Sequence, residues 1–558
     1  MRKITSFSIG FLAIIGLLLS SCQPEIVEVV KEVPVEKVVE VEKVVEVEAG
    51  KGGDLIMAWD ASHEPASLDG QIDPYQPAWL IDSYIADPLL ILGPDAKYVP
   101  ALATSWESNA DASVWTFNLR NDVTFQDDTP FNAEALKYNI DRIMDPATQS
   151  QEMAAQIGPI SEVEIVDEYT VTIHYSQPYV TVLDAFRRVP IWSPTAAEEW
   201  GVLEFDKHLV GTGPFTLEEW VPNDHITLKK WDGYGGWNSI SKSAGPANLD
   251  SVTIQFIGEE AVLGSVVKTG DAHIAMNLPT AYINDYRDIP GYRFYKGYQA
   301  GTGLEMVMNI RNAPFDILEF RQALLYATDQ QAANNLLYEG NYLASYGPLN
   351  TVHPCHYEGN RDYYPHDTAK AVELLESVGY TDEDGDGIRE AHGVAGVEDG
   401  TPLSFRWTIL HHAELGEAIQ AQWRELGIDI VVDKVPGPVQ LERKEARDFE
   451  MMYERQRGPD PRLMEMIWNS ANDVKGGWAW TGFVDAELDE ATSQIMKIGD
   501  FDKRCELAHT AQKIVMDNAL MLPTLSQPVF YATSDKVIDF EISSEANYHF
   551  IHNTYILD

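Results

Sequence analysis

The chain has 558 residues, 40 of them basic and 87 acidic, for a formal charge of −47. Such a field repels phosphate backbones and anionic headgroups, which excludes nucleic acid as a partner; most of the acid is solvated surface and does not identify a ligand. Apolar residues make up 45% of the chain and tryptophans number 14, enough for a large core and more than one domain.

Arg2 and Lys3 open the chain, and an apolar run from Phe11 to Leu19 follows that is too short for a stable membrane span. Next comes Leu19-Ser20-Ser21-Cys22. Small residues before a cysteine, directly after an apolar stretch, resemble the lipobox of bacterial lipoproteins, whereas a plain secretory signal needs no cysteine at the cut. We therefore expect a lipoprotein signal peptide over 1–21, with Cys22 as the acylated first residue of the mature chain. The expected location is extracytoplasmic, on the outer face of the cell membrane or its periplasmic side. Acyl chains contribute about 0.8 kcal/mol per buried CH₂, so two or three anchor firmly. Cleavage would remove two basic residues and no acidic ones, moving the charge from −47 to −49.

Residues 22–50 read as the lipid attachment point and a charged tether. EKVVEV repeats at 36–41 and 42–47. A six-residue period drifts around a helix but is commensurate with a strand, and Pro34 interrupts a continuous helix. Glu and Lys also favour helix, so both conformations stay open. Fully extended, the stretch reaches about 90 Å.

From Gly52 onward the patterns are those of a folded protein. Leu55 to Trp59 reads as a strand, Pro65 to Asp69 as a loop, and Trp115 to Arg120 as a half-buried strand with alternating polarity. Thr129 to Glu134 opens a helix through Ile143, Val252 to Phe256 reads as a strand, and Ala369 to Ser377 as a helix. Several of these segments are similar to motifs of the solute-binding proteins of ABC importers, family 5, whose members bind oligopeptides, dipeptides or nickel. Gly211-Thr212-Gly213-Pro214-Phe215 matches "GTGP[FY]", Val267 to Ala275 matches "LKSGEIDIA", and Pro314-Phe315 with Arg321-Gln322-Ala323-Leu324 matches "PF-D-RVRQAL". The resemblance runs in order from Gly52 to about Ser534.

The resemblance implies an α/β, bilobal, periplasmic-binding-protein-like (venus flytrap) fold of three domains with domain I discontinuous. Domain I would comprise 51–91, 208–297 and 523–558, domain II 92–207, and domain III, the second lobe, 298–522. It implies a monomer that closes on a small solute and docks on ABC permease subunits, reaching the membrane through its N-terminal lipid alone. Peptide is the first solute class, with carbohydrate or an anionic small molecule as alternatives. A ligand-sensing receptor subunit and an extracellular hydrolase are the rival classes.

No G-x-S-x-G, H-E-x-x-H or G-x-x-x-x-G-K pattern occurs; carboxylate pairs leave no local signature, and it is the resemblance that implies no enzyme activity and no cofactor. His353-Pro354-Cys355-His356 and His411-His412 carry metal-ligand types but read as loop histidines. Asp382, Asp384 and Asp386 match the first half of a calcium loop, but its twelfth position is Gly393 where a bidentate Glu is required, so a structural turn is favoured. Cys355 and Cys505 could pair or stay as separate thiols.

In peptide-binding members of the family an aspartate before a "PDP" segment pairs with the peptide ammonium. Here Pro459-Asp460-Pro461 matches "PDP" and Arg457 falls where that aspartate should be. A guanidinium there favours a carboxylate, phosphate or polar sugar over an amine. Asp460 is a second candidate contact, or else a helix cap. Trp478, Trp480 and Trp407 are expected to offer aromatic faces to the ligand. From the first lobe, Glu64, Pro279 and Thr280 fall on segments that face the cleft in the family.

Overall fold

The structure, a computed structural model, describes residues 52–557 apart from 74, 75, 94–96, 243 and 544–547. The signal peptide, Cys22 and the tether lie outside the described residues. Three principal sheets form the framework of the described residues.

The first sheet has seven strands in the order Tyr292–Tyr298, Pro528–Ser534, Ile274–Met276, Asp54–Asp60, Ser251–Ile257, His225–Lys230 and Phe215–Val221. Asp54–Asp60 runs parallel to both neighbours, while the remaining pairs are antiparallel. A central parallel strand is covered on both faces, and its sequence shows it. Leu55, Met57 and Trp59 pack into one core, whereas Ile56 and Ala58 pack into another beneath the helix Glu260–Thr269.

The second sheet is antiparallel, with strands Ala103–Ser108, Val114–Leu119, Thr170–Tyr175 and Ile160–Asp167. The helix Ala133–Met144 packs on it, started by the Asn132 side chain, which accepts from the Ala135 amide at 3.0 Å. Its core also takes Leu89, Leu90, Tyr234 and Trp237. Asp69, from the loop after the first strand, accepts from Arg142 at 2.5 Å and from Trp192 Nε1 at 3.0 Å, so the loop is pinned by a buried ion pair.

The third sheet has the order Asp429–Lys434, Ser404–Ile409, Met451–Glu454, Glu305–Met308 and Met521–Leu522, with its own large core. The chain passes between the first and third sheets twice, from Tyr298 to Glu305 and from Leu522 to Pro528. These two crossings connect the lobes of a bilobal α/β fold. The lobes also touch elsewhere. Arg287 donates to Asn341 Oδ1 at 2.7 Å, and Tyr98 meets Phe501 edge-on at 6.4 Å between ring centroids. Cys355 and Cys505 are disulfide-bonded, with Cα atoms 4.7 Å apart, which takes the first of the two alternatives left open by the sequence.

Candidate functional site

Two adjoining cavities open where the lobes meet, and both are lined by Arg455 and Arg457. One, about 290 Å³, lies against the first lobe and includes His63, Asn277, Pro279 and Thr280. The other, about 590 Å³, lies in the second lobe and includes His411, Lys444, Glu454, Trp478 and Trp480. These volumes suit a small solute.

Both arginines sit on the segment that leaves the strand Met451–Glu454 and crosses the first connection between the lobes. Thr302 N donates to Gln456 O at 2.9 Å, Gln456 N donates to Thr302 Oγ1 at 2.8 Å, and Gly458 N donates to Ala300 O at 2.9 Å. The close approach requires glycine at 301. Its φ is +148°, and a Cβ there would lie 2.2 Å from Gln456 O. Arg455 donates to Gln527 Oε1 at 2.6 Å and to Gln299 Oε1 at 3.5 Å, touching both crossings. Arg457 makes no side-chain hydrogen bond or ion pair among the described residues, and neither arginine has a carboxylate within ion-pair distance. Desolvation in the cleft, then the neighbouring Arg455 charge, pull the Arg457 guanidinium down to about 10, so it stays cationic at neutral pH.

Around them the charges are few. Desolvation is the largest influence on both His63 and His411 and holds the two imidazoles below their usual range, with Arg457 adding to the effect at each. Near pH 7 they act as neutral hydrogen-bonding groups. Glu454 lies at the base of the larger cavity, 3% exposed; burial raises its carboxyl to about 7. The site therefore presents a concentration of positive charge inside a chain of net charge −47.

The pattern of the bacterial extracellular solute-binding proteins, family 5 (middle), matches residues 97–477, more than half of the chain. This chain belongs to family 5. The glutathione-binding protein GsiB of Shigella flexneri serotype 5b is 25% identical over 490 residues, 86% of this chain and 91% of the relative. NikA from Brucella suis, solved with Fe(III)-EDTA, superposes with a TM-score of 0.75 at 21% identity, covering 90% of this chain and 99% of that one. The oligopeptide-binding protein AppA from Bacillus subtilis, solved with a nonapeptide, gives 0.65 at 17% identity, covering 92% and 100%. Family 5 proteins are extracytoplasmic solute-binding components of ABC importers, not enzymes. They bind small solutes or peptides and deliver them to the permeases. Among the described residues no helix is long and apolar enough to cross a membrane.

Of the residues singled out in the sequence, the family 5 cleft brings together Arg457, Trp478, Trp480, Pro279 and Thr280. Three others are corrected. Trp407 is fully buried, at 0% exposure, stacked on Trp423 at 6.0 Å and donating from Nε1 to Met306 Sδ at 2.8 Å. It lies on the face of its strand turned into the core. Asp460 is buried in a two-bond pair with Arg504, at 2.9 and 2.5 Å, and also accepts from Arg462 N at 2.8 Å at the start of the helix Arg462–Trp468. Glu64 turns away to the hairpin near Asn223, whose amide it accepts at 2.9 Å, and its neighbour His63 faces the cavity instead.

Asp382, Asp384 and Asp386 gather with Glu390, their ligand atoms within 4.8 Å of one another. Glu390 thus supplies a fourth carboxylate that the count to position 12 misses. The three Asp side chains accept the backbone amides of Gly385, Gly387, Asp386 and Ile388, which is the chemistry of a tight turn.

Proposed function

We propose that the protein captures a small solute carrying at least one carboxylate, an acidic peptide first, and passes it unaltered to ABC permeases. We further propose that it does so as a monomer held to the membrane by lipid on Cys22. One observation carries the ligand reading: Arg455 and Arg457 stand in the cleft with no carboxylate partner, in a chain with 87 acidic residues to choose from. A planar guanidinium matches a carboxylate with two parallel N–H···O bonds, and a solute that supplies them completes the site. Glutathione, the solute in GsiB's name, carries two carboxylates, and the EDTA bound to NikA is a polycarboxylate.

The domain division follows the same reading. Six of the seven strands of the first sheet fall within 51–91, 208–297 and 523–558, and the seventh, Tyr292–Tyr298, passes the boundary by one residue; those of the second fall within 92–207 and those of the third within 298–522. Closure would rotate the lobes about the two crossings, driven by contacts that form only when both walls hold the solute.

Calorimetric titration of glutathione into the protein and into Arg457→Asp tests the reading. Loss of a desolvated charge pair costs about 2 kcal/mol or more, which is about a 30-fold fall in affinity. An unchanged affinity in the folded variant removes Arg457 from the site.

A further inference from the structure

Lys444 lies near the end of the helix Gly437–Ala446, on the wall of the larger cavity. Its Nζ sits 3.8 Å from the ring centroid of Trp478 and 3.9 Å from that of Trp480. The two rings are 5.5 Å apart and inclined by 28°, so the ammonium rests in the corner between two indole faces. Trp480 is fixed by a hydrogen bond from Nε1 to Gly477 O at 2.9 Å, while Trp478 is 37% exposed and leaves the outer side open. Lys444 itself is 6% exposed, and its ammonium makes no hydrogen bond or ion pair among the described residues. Glu454, which lines the same cavity, is the carboxylate that attracts it most, and it accepts a bond from Gln456 Nε2 at 2.7 Å.

A lysine on a solvent-facing helix loses hydration and rotamer freedom when it folds inward. Desolvation here pulls its ammonium down to about 8, and it still carries its charge at neutral pH. What holds it inward is the attraction of a cation to two π faces with a carboxylate close by. The corner is thus a cation site, and the chain's own lysine is its occupant.

We propose that Trp478, Trp480 and Glu454 form an ammonium subsite, which Lys444 fills until a solute's own cationic group replaces it. This rests on the cleft being the solute site and extends it. Arg455 and Arg457 hold a carboxylate at one end, and the indole corner receives an amine at the other. Exchange of one ammonium for another is nearly balanced, whereas a solute without an amine leaves Lys444 in place and that end of the cavity closed. Lys444 is then a specificity residue acting as a tethered competitor.

The test empties the corner with Lys444→Ala, and with Lys444→Gln as a second variant that keeps the side-chain bulk. Circular dichroism verifies that each is folded. Three probes are titrated by calorimetry and tryptophan emission: tetramethylammonium, glutathione and N-acetylglutathione. Both variants should bind millimolar tetramethylammonium with a change in tryptophan emission, and the unmodified protein should not. Glutathione should bind the variants about tenfold more tightly, with no gain for the N-acetyl form. Absence of tetramethylammonium binding in both folded variants overturns the proposal. So does an equal loss of both glutathione forms, which would make Lys444 an anchor for anions. The tetramethylammonium measurement does not involve the arginines, so its result is independent of whether Arg457 holds a carboxylate.

Discussion

Replacing Asp460 with Ala should damage the fold and spare the ligand. The carboxylate and its partner Arg504 have side chains 4% and 3% exposed and share two hydrogen bonds, of 2.9 and 2.5 Å. Arg504 has one further bond, from Nε to Ile495 O at 2.9 Å. Removing the carboxylate strands a buried guanidinium, which costs about 3–5 kcal/mol. The amide of Arg462 also loses its acceptor, adding about 1 kcal/mol. With a urea m-value of about 3 kcal/mol/M, the midpoint should fall by about 1.5 M, followed by tryptophan fluorescence. A double variant, Asp460→Leu with Arg504→Met, should recover most of the loss, because two apolar side chains leave no stranded charge. Glutathione affinity in folded Asp460→Ala should match that of the unmodified protein. A destabilisation below about 1 kcal/mol, or a selective loss of solute binding, would refute the assignment of Asp460 to the framework.

Two further perturbations concern buried groups. The Cys355–Cys505 bond joins positions 150 residues apart, so opening it frees a long loop in the unfolded chain. Urea melts of Cys355→Ala with Cys505→Ala should lose about 3–5 kcal/mol, and a loss under about 1 kcal/mol contradicts this account. Burial raises the carboxyl of Glu454 from 4.5 to about 7. The folded state therefore holds this proton more tightly than the unfolded state does. Its contribution is fully present below about pH 4.5 and is lost as pH rises through about 7. The stability of Glu454→Gln relative to the unmodified protein should therefore rise by up to about 3 kcal/mol between pH 4.5 and 7 and then level off. Parallel urea melts showing a constant difference across that range would contradict it.

Much of the scaffold was legible in the sequence because local pattern and burial agree. The strands Asp54–Asp60 and Ser251–Ile257 and the helices Ala133–Met144 and Thr368–Val378 lie within a residue or two of where the local sequence patterns put them. Arg457 was legible as a departure from a family motif, a charge reversal visible one position at a time. The helix-start role of Asp460 was legible, but its ion pair was not, because the partner Arg504 stands 44 residues away on the helix Phe501–Asp517 and no local pattern reports that pairing. Trp407 was misread because composition counts aromatic faces without saying which side of a strand they take. Lys444 was missed for a related reason. On its own helix it looks like one of several solvated charges, and only the fold sets the Gly-rich segment with Trp478 and Trp480 against it.

The most direct examination of the central claim is native mass spectrometry of the protein purified without refolding, with the released solute identified and then incubated with fresh protein. One solute per chain, bearing a carboxylate and recovered with its mass unchanged, is the predicted result. A neutral or purely cationic solute, or a solute cleaved on incubation, would contradict the account.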